Sequence, residues 1–138
     1  NDEITLNSDN EQLSRVFFNL IKNSIESIKE KELSISNFKG KIVIEFKDYN
    51  DYIEFSIIDN GKGFSDLKNN IKDILNPYFT TKEKGTGLGL AIVNKIINDH
   101  NGSIEFVALD NGAKIQIIFL KTWVQKYWLL TIIQTLEI

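Results

Sequence analysis

Ile53-Glu54-Phe55-Ser56-Ile57-Ile58-Asp59-Asn60-Gly61-Lys62-Gly63-Phe64 is the stretch that decides how this chain folds. Ile53, Phe55 and Ile57 alternate with Glu54 and Ser56, the period of a strand with one face buried. The run stops at Asp59-Asn60-Gly61, whose residue types favour a turn. Just upstream, Ile42, Ile44 and Phe46 alternate in the same way, and the turn-like Asp48-Tyr49-Asn50-Asp51 separates the two runs. The pair therefore reads as a β-hairpin. Asp59 continues the Ile53-Phe55-Ile57 face by strict alternation, so its carboxylate points where the apolar side chains point.

Outward from this hairpin the period changes. Ser8-Asp9-Asn10-Glu11 is a Ser-x-x-Glu capping box, and Leu13, Val16, Phe17, Leu20, Ile21 and Ile28 follow at helical steps. This predicts a helix ending near Lys31. On the other side, the pattern weakens from Lys62 to Gly85, with a short helix expected within 66–76 before Pro77. A second helix is expected from Gly87-Leu88-Gly89 through Ile97, stopped by Asn101-Gly102. Strands Ser103–Leu109 and Ala113–Lys121, joined by Asp110-Asn111-Gly112, form a second hairpin. The expectation is an α+β two-layer sandwich, a mixed or antiparallel sheet with helices on one face. Its bounds are read as one domain over 1–121, then an apolar tail over 122–138. That tail carries Trp123 and Trp128, is too short and interrupted for a membrane span, and leaves open a docking helix or a helix packed on its own domain.

Composition narrows the chemistry. The chain of 138 residues has no cysteine and one histidine, His100, so disulfides, thiolate sites and multi-histidine metal sites are excluded. A net charge of −3 argues against a nucleic-acid-binding surface. The absence of a signal-like start or a long apolar run makes a cytoplasmic setting the expectation, with a membrane anchor on the parent protein left open. A start at Asn1 rather than Met is read as a piece of a longer protein.

Three groups could carry chemistry. Asn19 and Asn23 lie four apart on the first helix, on one face and at the border of its apolar arc. Their amide oxygens are hard, neutral ligands of the kind magnesium takes, though position alone favours the solvated edge of a helix. Asp59, if half-buried, needs a hydrogen-bond donor, which an adenine amine would supply; an Asp-Asn-Gly turn capping a strand is the plainer account. Gly61 and Gly63 would let backbone lie close to a flat ring. Gly85-Thr86-Gly87-Leu88-Gly89-Leu90 enters a helix, where amides and the helix N-terminus suit phosphate. It is neither a Rossmann fingerprint nor a Walker loop.

The order of these pieces is more specific than any one of them. Asn19 to Glu26 resembles the asparagine box of sensor histidine kinases, Asp59 to Phe64 their first glycine box, Pro77 to Lys82 their phenylalanine box, and Gly85 to Leu90 their second glycine box. Asp99 to Ile104 is similar to the family's helix-to-strand segment. The resemblance covers roughly residues 8 to 120 and implies the Bergerat ATP-binding fold. The Thr80-Thr81-Lys82 run looks most like the nitrogen-regulation and sporulation-kinase branch.

Carried over by residue, the resemblance implies that Asn23 ligates magnesium with Asn19 assisting, and that Asp59 reads the adenine amine. Gly61, Gly63 and Phe64 shape that pocket, and a lid runs from about Phe64 to Thr86. Thr80, Thr81, Lys82, Gly85 and Thr86 lie toward the phosphates, which the amides of Gly87, Leu88 and Gly89 meet. ATP and magnesium are the implied cofactors. The implied partners are a histidine-bearing dimerisation domain of the same parent protein, itself expected to be a homodimer, and a response regulator. Relatives that hydrolyse ATP carry a Glu base where Asn19 stands, and an amide cannot accept a proton. Two alternatives stay open: a serine kinase of the anti-sigma-factor type, and a non-catalytic nucleotide-binding module.

Overall fold

The computed structural model describes residues 10–64, 71–79 and 85–121. Ser8 of the expected capping box, part of the expected short helix, Thr80-Thr81-Lys82 and the tail 122–138 lie outside the described residues.

Helix α1 spans Asn10–Glu32. Leu13, Val16, Phe17, Leu20 and Ile28 are all buried, so the helical period read in the sequence is the face turned to the core. Glu11 in the first turn and Lys29 and Lys31 in the last oppose the helix dipole. Beyond the end, the amides of Leu33 and Ile35 bond back to the carbonyls of Lys29 and Lys31, closing groups the helix leaves open.

Strands β1 (Ile42–Asp48), β2 (Tyr52–Asp59), β3 (Gly102–Leu109) and β4 (Gly112–Leu120) form a sheet of order β1-β2-β4-β3. Every pairing is antiparallel, which decides between the two sheet types left open by the sequence. In register, Ile44 faces Ile57, Ile57 faces Ile115, and Asp59 faces Ala113. One sheet face thus collects Ile53, Phe55, Ile57, Ile115, Ile117 and Phe119, all buried.

Helix α2, Gly89–Asp99, lies with α1 on that face and contributes Val93, Ile96 and Ile97 to the same core. The rings of Phe17 and Phe55 meet edge to face at 4.3 Å, tying α1 to β2. Asn101 adopts φ 52°, the left-handed geometry expected at a helix stop. His100 caps α2, its Nδ1 2.7 Å from the Ile96 carbonyl oxygen. Of the expected short helix, Ile71–Leu75 forms a 3-10 turn whose Ile74 joins the core. No helix among the described residues is long and apolar enough to cross a membrane.

Candidate functional site

A cleft of about 850 Å³ is bordered by α1, the loop after β2, the β3–β4 hairpin and the N-terminus of α2. Asp59 is at its inner end. Alternation along β2 turns its side chain inward, and only 4% of the residue is exposed. Burial pushes the carboxyl above its ordinary range, while the Gly61 amide, the Ser24 hydroxyl and the Lys31 ammonium pull it back. The Gly61 amide donates to Oδ1 at 2.9 Å.

The loop carrying Asp59 is pinned from two sides. On one side stands a polar stripe of α1. Lys31 Nζ donates to the carbonyls of Asn60 and Gly61 at 2.8 and 3.1 Å. Ser27 accepts from Lys62 N at its carbonyl, 3.1 Å, and from Gly63 N at its hydroxyl, 3.2 Å. On the other side, Asn60 Oδ1 accepts from the Lys41 amide at 2.7 Å and its Nδ2 donates to the Lys39 carbonyl at 2.9 Å.

The two loop glycines have separate reasons. A Cβ at Gly61 would stand 2.6 Å from the Ser27 carbonyl carbon and 2.7 Å from the Ile28 nitrogen, so Gly61 lets the loop lie directly on α1. It shapes the cleft from behind and does not line it. Gly63 lines the cleft at φ 69°, pressed on the Gly112 carbonyl of the β3–β4 turn. Phe64 also lines it, edge to face with Phe106 at 5.9 Å.

At the opposite end, Gly85, Thr86, Gly87, Gly89 and Leu90 line the cleft where α2 begins. Leu88 is the residue before α2 and makes no side-chain cap, and the first turn holds no acidic residue. This helix start therefore presents backbone donors and a positive dipole end without an internal anion. The Leu88 amide reaches Thr86 Oγ1 at 3.4 Å, and Leu88 itself is not part of the lining. Gly87, at φ 67°, packs on the backbone of Tyr78 and accepts the Tyr78 amide at 2.9 Å.

Asn19 and Asn23 line the cleft from α1. Asn19 Nδ2 donates to the Arg15 carbonyl at 2.8 Å, which turns Oδ1 the other way. That oxygen lies 3.5 Å from the point where a Cβ on Gly89 would be, facing the first turn of α2. Among the described residues no group of three or more His, Cys, Asp or Glu could hold a metal ion. Thr80, Thr81 and Lys82 lie outside the described residues. Ser24, Ser27 and Lys31 were missed by the sequence reading. Their spacing of three and four on α1 was the available signal.

The profile of the histidine kinase-, DNA gyrase B- and HSP90-like ATPases matches residues 8–123. The chain belongs to this family. Within it, the similarity is to the catalytic domains of sensor histidine kinases. Nitrogen regulation protein NtrY of Azorhizobium caulinodans is 39% identical over 97 residues, which is 70% of this chain and 12% of that protein. Sporulation kinase C of Bacillus subtilis is 33% identical over 118 residues, 85% of this chain and 25% of the relative. The solved catalytic domain of histidine kinase ThkA superposes with a TM-score of 0.67 at 32% identity, covering 84% of this chain and 70% of that one. The chain thus spans a quarter or less of these two curated relatives. The cleft between α1, the Asp59 loop and α2 lies wholly within the matched residues.

Proposed function

We propose that this domain holds ATP with magnesium and passes the γ-phosphoryl group to a histidine on a separate dimerisation domain of the same parent protein. A response regulator would draw on that phosphohistidine, and the cytoplasm is the setting. The observation that carries the reading is the polarity of the cleft. A buried carboxylate stands at one end, an uncapped helix start at the other, and amide side chains between them. Asp59 accepts a hydrogen bond from the adenine amine. The amides at the start of α2 meet the phosphates.

The donor set suits magnesium, which prefers oxygen ligands and arrives with phosphates. Asn23 would hold it, with Asn19 Oδ1 beside it. When bound, it supplies charge neutralisation on the phosphate chain. In the transfer, an imidazole nitrogen bonds to the γ-phosphorus, the bond to the β–γ bridging oxygen breaks, ADP leaves, and the imidazole N–H proton passes to solvent. Asn19 orients ligands and abstracts no proton.

The test supplies the histidine-bearing segment of the parent protein with this domain and radiolabelled ATP. Acid-labile, base-stable label on that segment is the expected result. Label on a serine, or none on any segment carrying the acceptor histidine, would overturn the reading.

A further inference from the structure

The sheet face turned away from α1 and α2 is not finished like a wet surface. Ile53, Phe55 and Ile57 of β2 point to the core, so Tyr52, Glu54, Ser56 and Ile58 point the other way. An antiparallel sheet with one face in water keeps its polar side chains exposed there. Glu54 is instead 8% exposed and Ser56 1%, although both described helices pack on the opposite face. The buried carboxylate has its charge matched. Ser56 Oγ donates to Glu54 Oε1 at 3.4 Å, and Lys47 of β1 and Lys114 of β4 each bring Nζ to 3.9 Å from the same oxygen. Such pairing is what a carboxylate requires where water is excluded. Apolar surface lies at both ends of this face. Val43, Ile58 and Val107 share one cross-strand row with Lys114. At the other end Leu120 faces Tyr52, whose ring stacks on Tyr49 at 4.5 Å, and Leu120 is 49% exposed.

We propose that the chain's own segment 122–138 covers this face as a third layer, crossing from the Leu120–Tyr52 end toward the Ile58 row. Of the stretches outside the described residues, this one alone starts from the sheet. Residues 1–9 lead into α1, and 65–70 and 80–84 leave the described chain on the cleft side. The exit is fixed beside the face. Lys121 N donates to the Asp51 carbonyl at 2.9 Å, and its Nζ pairs with Asp48 at 3.0 Å. Trp123, Val124, Tyr127 and Trp128 recur at the steps of one helical stripe. As a helix, residues 122–138 measure about 25 Å. The nine-residue β4 runs about 30 Å, so the segment matches the face it has to cross. The family profile stops at residue 123, so this layer is an addition to the family's domain, placed on the side away from the cleft.

The test uses the full chain. Trp123 and Trp128 are its only tryptophans and it has no cysteine, so tryptophan emission reports on the segment and one introduced cysteine takes one label. In the unlabelled protein the emission should be blue-shifted and shielded from iodide, and should move to the red in urea. Emission already like that of tryptophan in water would overturn the proposal. A nitroxide, which quenches only at short range, is then attached to Ser103→Cys, exposed on the outer side of β3, or to Phe18→Cys, 70% exposed on α1. The label at 103 should remove most of the emission at every protein concentration, and the label at 18 should leave it close to that of the unlabelled protein. Weak quenching from 103, or equal quenching from both positions, places the segment elsewhere and overturns the assignment. Quenching from 103 that fades on dilution gives the face to the segment of a second copy and overturns it as well.

Discussion

Lys31 Nζ donates to the main-chain carbonyl of Asn60 across 2.8 Å, so the last turn of α1 holds the loop that presents Asp59. The same ammonium reaches the Gly61 carbonyl, brought there by its methylene stem. Lys31→Met keeps the stem and removes both bonds. Two carbonyls lose their donor, and a loss of about 1–2 kcal/mol in denaturant-measured stability is expected. ADP affinity should fall with it, by about three- to tenfold, because the Asp59 loop is no longer fixed. Unchanged ADP affinity at unchanged stability would show that the loop holds its shape without the staple.

Asp59→Asn should weaken ADP by about 1–3 kcal/mol while raising the stability of the nucleotide-free domain at neutral pH. Burial raises the Asp59 pKa in the folded state, so the folded protein favours the neutral form. The stability from that preference is full below the ordinary value of 3.8 and is lost as pH rises through the raised folded value. The variant resembles the neutral form throughout. Its advantage over the wild type should therefore be small in acid and grow with pH across that window, then level off. Melting curves taken as a function of pH check the sign.

Two glycines separate folding from binding. Gly61→Ala places a methyl against the Ser27 and Ile28 backbone, which cannot swing aside, and about 1–3 kcal/mol of destabilisation is expected. Gly89→Ala meets only the Asn19 side-chain oxygen at 3.5 Å, an ordinary contact. The second variant should be as stable as the wild type or more so, by about 0.4–1 kcal/mol, through reduced freedom of the unfolded chain. Its methyl would nonetheless crowd the space between Asn19 and α2, and magnesium-dependent ATP affinity should drop. Equal ATP affinity in Gly89→Ala would move the phosphates away from this gap.

Hydrolysis of ATP by the isolated domain should be close to background. The resemblance implies a water-activating Glu in hydrolysing relatives where this chain has Asn19, and an amide does not take a proton at neutral pH. Steady-state phosphate release measured without any partner checks this, and sustained turnover would show that another residue acts as the base.

Periodicity made the fold legible because every element obeys one simple rule. The α1 stripe, both hairpins and the Asn101-Gly102 stop all appear in the structure within a residue or two of their sequence signals. Sheet type was not legible, since no local pattern says that β2 pairs with β4 rather than lying parallel to another strand. In the site, alternation alone placed Asp59 on the inner face. The role of Gly61 could not be read this way: its closeness to Ser27 is a contact between segments far apart in the chain. Ser24 was passed over for the same reason, because an unpaired hydroxyl is visible only when all its neighbours are in place.

The strand order β1-β2-β4-β3 also constrains how the domain comes to be able to bind anything. Each hairpin closes over a short turn and forms quickly, but the pairing of Asp59 with Ala113 joins the two across the whole of α2. That closure spans more of the chain than either hairpin turn and carries the larger entropic cost. Until it happens, Gly63 has no Gly112 to press against and Asp59 has no Ala113 beside it. The cleft therefore has its complete wall only once the two hairpins have paired across the sheet.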